Sequence, residues 1–185
     1  MGKRGPGAGK LKAAAAAYDE AAHVAHPWDK EGMPEDERVL AFLESLPIVS
    51  GLRAGERLEL LGFQVQFVRG VYGPRDDEGE RLVGLAALSV ARGNGKSALL
   101  SGLSLAHLLG PCSEPYGECY AAALDREQAG VLYNQTRAYI EATPWMAARV
   151  NIRDWHKEVI DERTNSKWRA LTSDARKAHG LAPSF

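Results

Sequence analysis

Two cysteines, Cys112 and Cys119, are too few for a disulfide framework, and their spacing does not fit a zinc site. They read as small buried residues kept reduced. No apolar run approaches the roughly 20 residues that cross a bilayer. The N-terminus has no signal-peptide core followed by a cleavage site. A soluble protein of a reducing compartment is expected. An excess of one charge is missing too, since 23 Lys and Arg stand against 24 Asp and Glu. The resulting net charge of -1 gives no support for an extended nucleic-acid surface, while leaving room for a local one. No internal repeat is visible, which argues against a solenoid. What is present is ordinary for a globular domain: 185 residues, 45% hydrophobic and 25% charged, enough to bury a real core.

The chain is organised around Val83 to Leu109. The apolar run Leu82 to Val90 is expected to be a central strand of a parallel sheet, because it is apolar on both faces. A short loop follows, Ala91-Arg92-Gly93-Asn94-Gly95, then Lys96, Ser97 and an apolar stretch of helical length, Ala98 to Leu109. Strand, glycine loop and helix in this order make a phosphate cradle. Backbone N–H groups of the loop and first turn lack internal partners, and the helix dipole makes their shared focus positive. Gly93 and Gly95 allow close backbone approach to an oxygen. Lys96 can reach the β- and γ-phosphates, and the Ser97 hydroxyl can ligate Mg²⁺. The common pattern G-x-x-x-x-G-K-[ST] would place its first Gly where Val90 stands.

Upstream, Gly2 to Lys10 imitates such a loop, but no strand precedes it and Leu11 replaces the metal-binding hydroxyl. A flexible basic arm fits better. Ala13 to Ala25 favours helix, with His23 and His26 as surface histidines. Pro34 to Leu46 reads as an amphipathic helix, with acids in its first turn and Val39, Leu40, Phe42, Leu43 and Leu46 on its apolar face. A short extended piece, Arg57 to Leu61, leads into a helix over Phe63 to Tyr72. Gln64 and Gln66 both carry an amide able to donate and accept, as reading an adenine edge requires. A surface glutamine on an amphipathic helix is the alternative for each.

Before the loop, Gly73 to Glu80 is a turn or hairpin region rich in Pro, Asp and Gly, and beyond it Glu118 to Leu124 is the next strand. Asp125 caps a helix over Arg126 to Ala142, and His107 is a packed or hydrogen-bonded helix residue. Pro144-Trp145 begins a connection. Short strands follow at Val150 to Ile152, Glu158 to Asp161 and Lys167 to Leu171, the last two joined by a turn at Arg163 to Ser166. The βαβα order predicts a doubly wound, mostly parallel α/β sheet with its ligand at the strands' carboxyl ends.

Loss of the first loop Gly, with Arg92 inside the loop, resembles the variant phosphate loop of tailed-phage terminase large subunits. So does Phe63-Gln64 upstream, Ala-Ala-Ala-Leu-Asp-Arg-Glu-Gln-Ala after the second core strand, and the run from Leu171-Thr172-Ser173-Asp174-Ala175 to Gly180-Leu181-Ala182-Pro183-Ser184. The resemblance covers about Glu35 to Phe185. It implies a P-loop NTPase fold, with residues 1–33 as an arm and helical lead-in and 34–185 as the N-terminal part of the ATPase domain. It implies ATP and Mg²⁺ as cofactors, held by Gln64, Arg92, Gly93, Asn94, Gly95, Lys96 and Ser97. Gln64 would read adenine. Lys96 would stabilise γ-phosphate charge, and Ser97 would ligate the metal. Arg92 would contact the nucleotide or couple hydrolysis to movement, a solvent-facing arginine being the alternative. Arg126 and Arg137 are weaker candidates for a neighbouring subunit's site.

The family's Asp-Glu pair, which holds Mg²⁺ and activates water, has no counterpart before Phe185. Asp161-Glu162 follows too short an apolar run to serve. The nuclease domain is missing as well. The expectation is therefore a truncated ATP-binding portion of a DNA-packaging motor, inactive alone. The family further implies double-stranded phage DNA, a portal, a terminase small subunit and a homo-oligomeric ring as partners, no membrane, and action in the bacterial cytoplasm. A non-catalytic binding or subunit-packing fragment and a different P-loop enzyme are the alternatives.

Overall fold

The computed structural model describes residues 25–123 and 126–172, with Pro183 and Phe185. The basic arm, the alanine-rich segment with His23, Asp125 and most of 173–185 lie outside the described residues. Helix α1, Glu35–Ser45, carries Glu35, Asp36 and Glu37 in its first turn, where the dipole favours acids. Arg69 pairs with Glu37 at 2.8 Å, and Arg75 pairs with Glu35, which ties α1 to the chain that follows it. The opposite face buries Val39, Leu40, Phe42 and Leu43. Each such side chain, fully buried, contributes roughly 1.5–3 kcal/mol.

Helix α2, Gly62–Tyr72, and helix α3, Lys96–Leu108, complete one layer. Nearly every side of α3 is covered, as its apolar composition requires. Close packing against α1 depends on small residues. A Cβ on Gly110 would lie 2.7 Å from the Phe42 ring and 2.9 Å from Ala106 Cα. Trp28 stacks flat on His26 at 4.3 Å and meets Phe42 edge-on at 4.9 Å, closing the outer end of this core.

The sheet runs β1-β4-β3-β2, with β1 Glu118–Ala123, β2 Val150–Arg153, β3 Glu158–Asp161 and β4 Lys167–Thr172. Helix α4, Arg126–Ala142, crosses over from β1 and packs on β4, where Tyr133 stacks on Trp168 with ring centroids 6.1 Å apart. A short helix α5, Pro144–Arg149, precedes β2. The β2–β3 connection is a single 3-10 turn, Asp154–His156. Asp154 anchors it by accepting from Tyr133 Oη at 2.6 Å and Arg137 Nη1 at 2.7 Å. Trp155 stands out at the tip, 87% exposed.

Two expectations need correction. The described sheet is mixed rather than mostly parallel: β1–β4 is parallel, while β3–β4 and β2–β3 are antiparallel. The reason is loop length, since connections of a few residues reverse a strand and cannot carry it back for parallel pairing. The connection that begins at Pro144 opens as a helix, because the missing N–H of proline costs nothing at a first helical position. Leu82 to Val90 is irregular rather than a strand. A strand needs backbone partners, and no described segment runs alongside it. Leu82 and Leu85 consequently stay open to solvent, Leu85 at 93%, while Leu88 packs against the core. The free edge of β1 is met by Phe185 instead: Tyr120 N–H donates to its carbonyl at 2.9 Å. A cavity of about 610 Å³ separates Val83–Ala86 from Phe185.

Candidate phosphate-binding site

The loop before α3 turns on two glycines. Gly93 has φ 89° and Gly95 φ 70°, both in the left-handed region that other residues avoid. Gly95 caps α3, and the first helical bond runs from Leu99 N–H to Gly95 O at 2.9 Å. Helix geometry therefore leaves the N–H groups of Lys96, Ser97 and Ala98 without intrahelical acceptors. The Lys96 ammonium arches back and donates to Val90 O at 3.0 Å, and Asn94 Nδ2 donates to Ala91 O at 3.1 Å. Arg92 lies exposed beside the loop.

A groove of about 410 Å³ opens from the loop. Lys96 and Ser97 line one wall, Ala122 and Ala123 its floor, and Gln128 and Val131 of α4 the other wall. Ala122 and Ala123 are the carboxyl end of β1, the side of an α/β sheet where ligands bind. The donor set suits a polyphosphate: a cation, a hydroxyl and outward N–H groups, with no carboxylate among the described lining residues. Ser97 is the hydroxyl that could face a divalent cation held by such a phosphate. Gln128 was not among the residues expected here, although it sits in the Asp-Arg-Glu-Gln-Ala string. Its place in the first turn of a helix capped at a strand's carboxyl end was the signal available.

Gln64 is 6% exposed and faces the loop. Its Oε1 accepts the Leu61 N–H at 2.9 Å, and its Nε2 lies 3.5 Å from Asn94 O. Gln66 is exposed on another side of α2. Farther along α3, His107 is buried and bonded through Nε2 to the Tyr72 hydroxyl at 3.0 Å. Burial, with Arg81 nearby, pushes its pKa down to about 3, so it is a neutral core residue. Burial also raises the Cys112 thiol to about 11 and Cys119 to about 12, as expected of packed, unreactive cysteines. Arg137 is committed to Glu141 and Asp154.

Asp161 is fully buried. It accepts from Arg149 Nε at 2.8 Å, Arg149 Nη2 at 2.6 Å and Thr164 Oγ1 at 2.6 Å. Its accepting capacity is spent on Arg149 at the end of α5 and on Arg163 N–H and Thr164 of the β3–β4 turn. Desolvation alone would raise its pKa, but Arg149, Thr164 and the Arg163 N–H outweigh it and hold the carboxyl below its ordinary value. Among the described residues no group of three His, Cys, Asp or Glu could hold a metal ion, and no helix is long and apolar enough to cross a membrane.

Residues 62–185 match the family described as terminase large subunit, ATPase domain. The chain is 34% identical over 152 residues to the terminase large subunit of Enterobacteria phage HK97, covering 82% of this chain and 29% of that protein. It is similar to the crystal structure of the HK97 bacteriophage large terminase with a TM-score of 0.71 and 33% identity, over 82% of this chain and 30% of that one. The chain thus spans under a third of the length of the relatives it matches.

Proposed function

This chain belongs to the terminase large-subunit ATPase family, and from that premise we propose that it binds MgATP at Gly93–Ser97 as the ATP-handling part of a motor that moves phage DNA. The observation that carries the reading is the left-handed Gly93 and Gly95 pair leading directly into α3, with Lys96 and Ser97 facing the groove at the end of β1. Loop N–H groups at Gly93, Asn94 and Gly95 bind phosphate oxygens. Lys96 leaves Val90 O and neutralises charge on the β- and γ-phosphates, which is where charge builds as phosphoryl transfer proceeds. Ser97 would hold Mg²⁺, which would supply charge neutralisation to the phosphates. Arg92, exposed at the loop's outer side, reaches the nucleotide from solvent or a neighbouring subunit. The described groove supplies cradle and charge, with no carboxylate to orient water, so binding rather than turnover is assigned to these residues. A doubly wound P-loop sheet, a DNA substrate, a portal and small-subunit partners and a ring assembly in the bacterial cytoplasm follow as part of the same proposal.

Titration of a fluorescent ATP analogue with Mg²⁺ tests it. Lys96→Ala removes a charge-assisted contact worth about 1.5–3 kcal/mol, an affinity loss of roughly ten- to a hundredfold. Equal binding by wild type and Lys96→Ala refutes the assignment.

A further inference from the structure

We propose that Gln64 is a positioning residue for the phosphate loop: its carboxamide fixes the orientation of the Asn94–Gly95 peptide. This rests on the reading of that loop as a polyphosphate site. Gln64 is the third residue of α2 and is nearly inaccessible, at 6% exposure. Both ends of its amide meet backbone. Oε1 accepts the Leu61 N–H at 2.9 Å and so holds the side chain across the start of α2. That leaves Nε2 directed at the loop, 3.5 Å from Asn94 O. A Cβ on Gly95 would lie 3.2 Å from the same nitrogen, so the loop backbone rests against it.

The consequence follows from peptide geometry. In a trans peptide the carbonyl and the following N–H point in opposite directions, and no described peptide is cis. With Asn94 O turned toward Gln64, the Gly95 N–H is turned away from α2, outward from the loop. A rotated peptide would present a carbonyl oxygen to an anion in place of a donor. Such rotation is easy beside glycine, which accepts φ of either sign. Gly95, at φ 70°, is the residue that makes the loop possible and also the one that leaves this peptide unconstrained. Gln64 supplies the constraint. Its own position is secured at the far end of α2, where Tyr72 Oη meets His107 Nε2 of α3 at 3.0 Å. Helix α2 is therefore bound to the loop–helix unit at both ends, and the amide cannot drift from the peptide that it holds.

The test separates a loop brace from a base reader and from a helix cap. Affinities for inorganic triphosphate, ATP and GTP, each with Mg²⁺, are measured for wild type, Gln64→Met, Leu61→Pro and Lys96→Ala. Gln64→Met keeps length and neutrality but loses the donor. All three ligands are expected to weaken by one common factor, about three- to tenfold for one hydrogen bond. Leu61→Pro removes the N–H that Gln64 caps, together with a half-exposed leucine side chain, at a φ of -72° that proline adopts readily. It is expected to lower the melting temperature and, because the amide keeps its donor but loses one anchor, to weaken triphosphate by a smaller factor than Gln64→Met. A loss confined to ATP would overturn the brace in favour of base reading. Unchanged affinity of Gln64→Met for all three ligands, or equal losses in Gln64→Met and Leu61→Pro, would also overturn it. If wild type and Lys96→Ala bind triphosphate equally, the phosphate reading itself fails, and that result is distinct from the others.

Discussion

Replacing Asp161 with asparagine should destabilise the fold severely while leaving the nucleotide groove intact. The amide keeps the volume but removes the charge that faces Arg149. The Arg149 side chain is 9% exposed and Asp161 0%, so water cannot take over the lost contacts. The acceptors left to the guanidinium are then the single amide oxygen and Leu109 O at 3.1 Å, both neutral, while the amide NH₂ is a donor set against a cation. Breaking a buried pair from one side costs about 3–5 kcal/mol, against a total stability on the order of 5–15 kcal/mol. With a urea slope of about 2 kcal/mol/M, the midpoint should fall by roughly 1.5–2.5 M. The double variant Arg149→Met with Asp161→Leu should regain most of the loss, since no charge is then left buried. The pH dependence has a definite sign. A folded carboxyl held below its ordinary 3.8 contributes stability above that value, and the contribution is lost as pH falls through the lower folded value. Urea unfolding followed by far-UV circular dichroism at pH 7 decides the matter. An Asp161→Asn protein within about 1 kcal/mol of wild type refutes the reasoning, since every mechanism for a large loss at this site rests on its burial. Loss of Mg²⁺-dependent nucleotide affinity with stability unchanged would instead place Asp161 at the metal of the nucleotide.

Two further predictions concern the core. His107 folds neutral with a pKa near 3, below its usual 6.5, so protonation favours the unfolded chain. Its contribution is complete above 6.5 and declines as pH falls, with a slope of up to about 1.4 kcal/mol per pH unit; His107→Gln should flatten stability measured between pH 6.5 and 5, and an unchanged slope would refute this. Gly110→Ala should cost about 1–3 kcal/mol, because its methyl meets the Phe42 ring and Ala106 Cα; a thermal melt at or above wild type would show that α1 can move aside.

Much of the fold is written in short-range signals. Acids after Pro34 and apolar residues at helical spacing located α1, and α2, α3 and α4 were similarly placed within a few residues. The turn residues Arg163 to Ser166 located the β3–β4 reversal, where Asn165 takes φ 56°. What could not be read depends on distant neighbours. An apolar run such as Leu82 to Val90 looks like a buried strand whether or not a ladder partner lies beside it. The composition of Glu158 to Asp161 does not reveal that Arg149, twelve residues earlier, will occupy the aspartate. At the candidate site, the turn at Gly93 to Gly95 was legible because glycine acts through local backbone geometry. Gln64 was recognisable as unusual, but its burial against Asn94 depends on how α2 docks, and Gln128 depends on how α4 closes over β1.

The exposed Trp155 has an optical consequence. Of the four tryptophans, Trp28 and Trp168 are 3% and 1% exposed, while Trp155 is 87% exposed. Indoles in apolar surroundings emit at shorter wavelengths than indoles in water, so native emission should be a composite whose red side comes from the β2–β3 tip. A collisional quencher such as iodide reaches that indole first and strips the red side of the spectrum. The buried pair then reports unfolding of the core, and the tip reports whatever comes to rest against it, in one cuvette without a label.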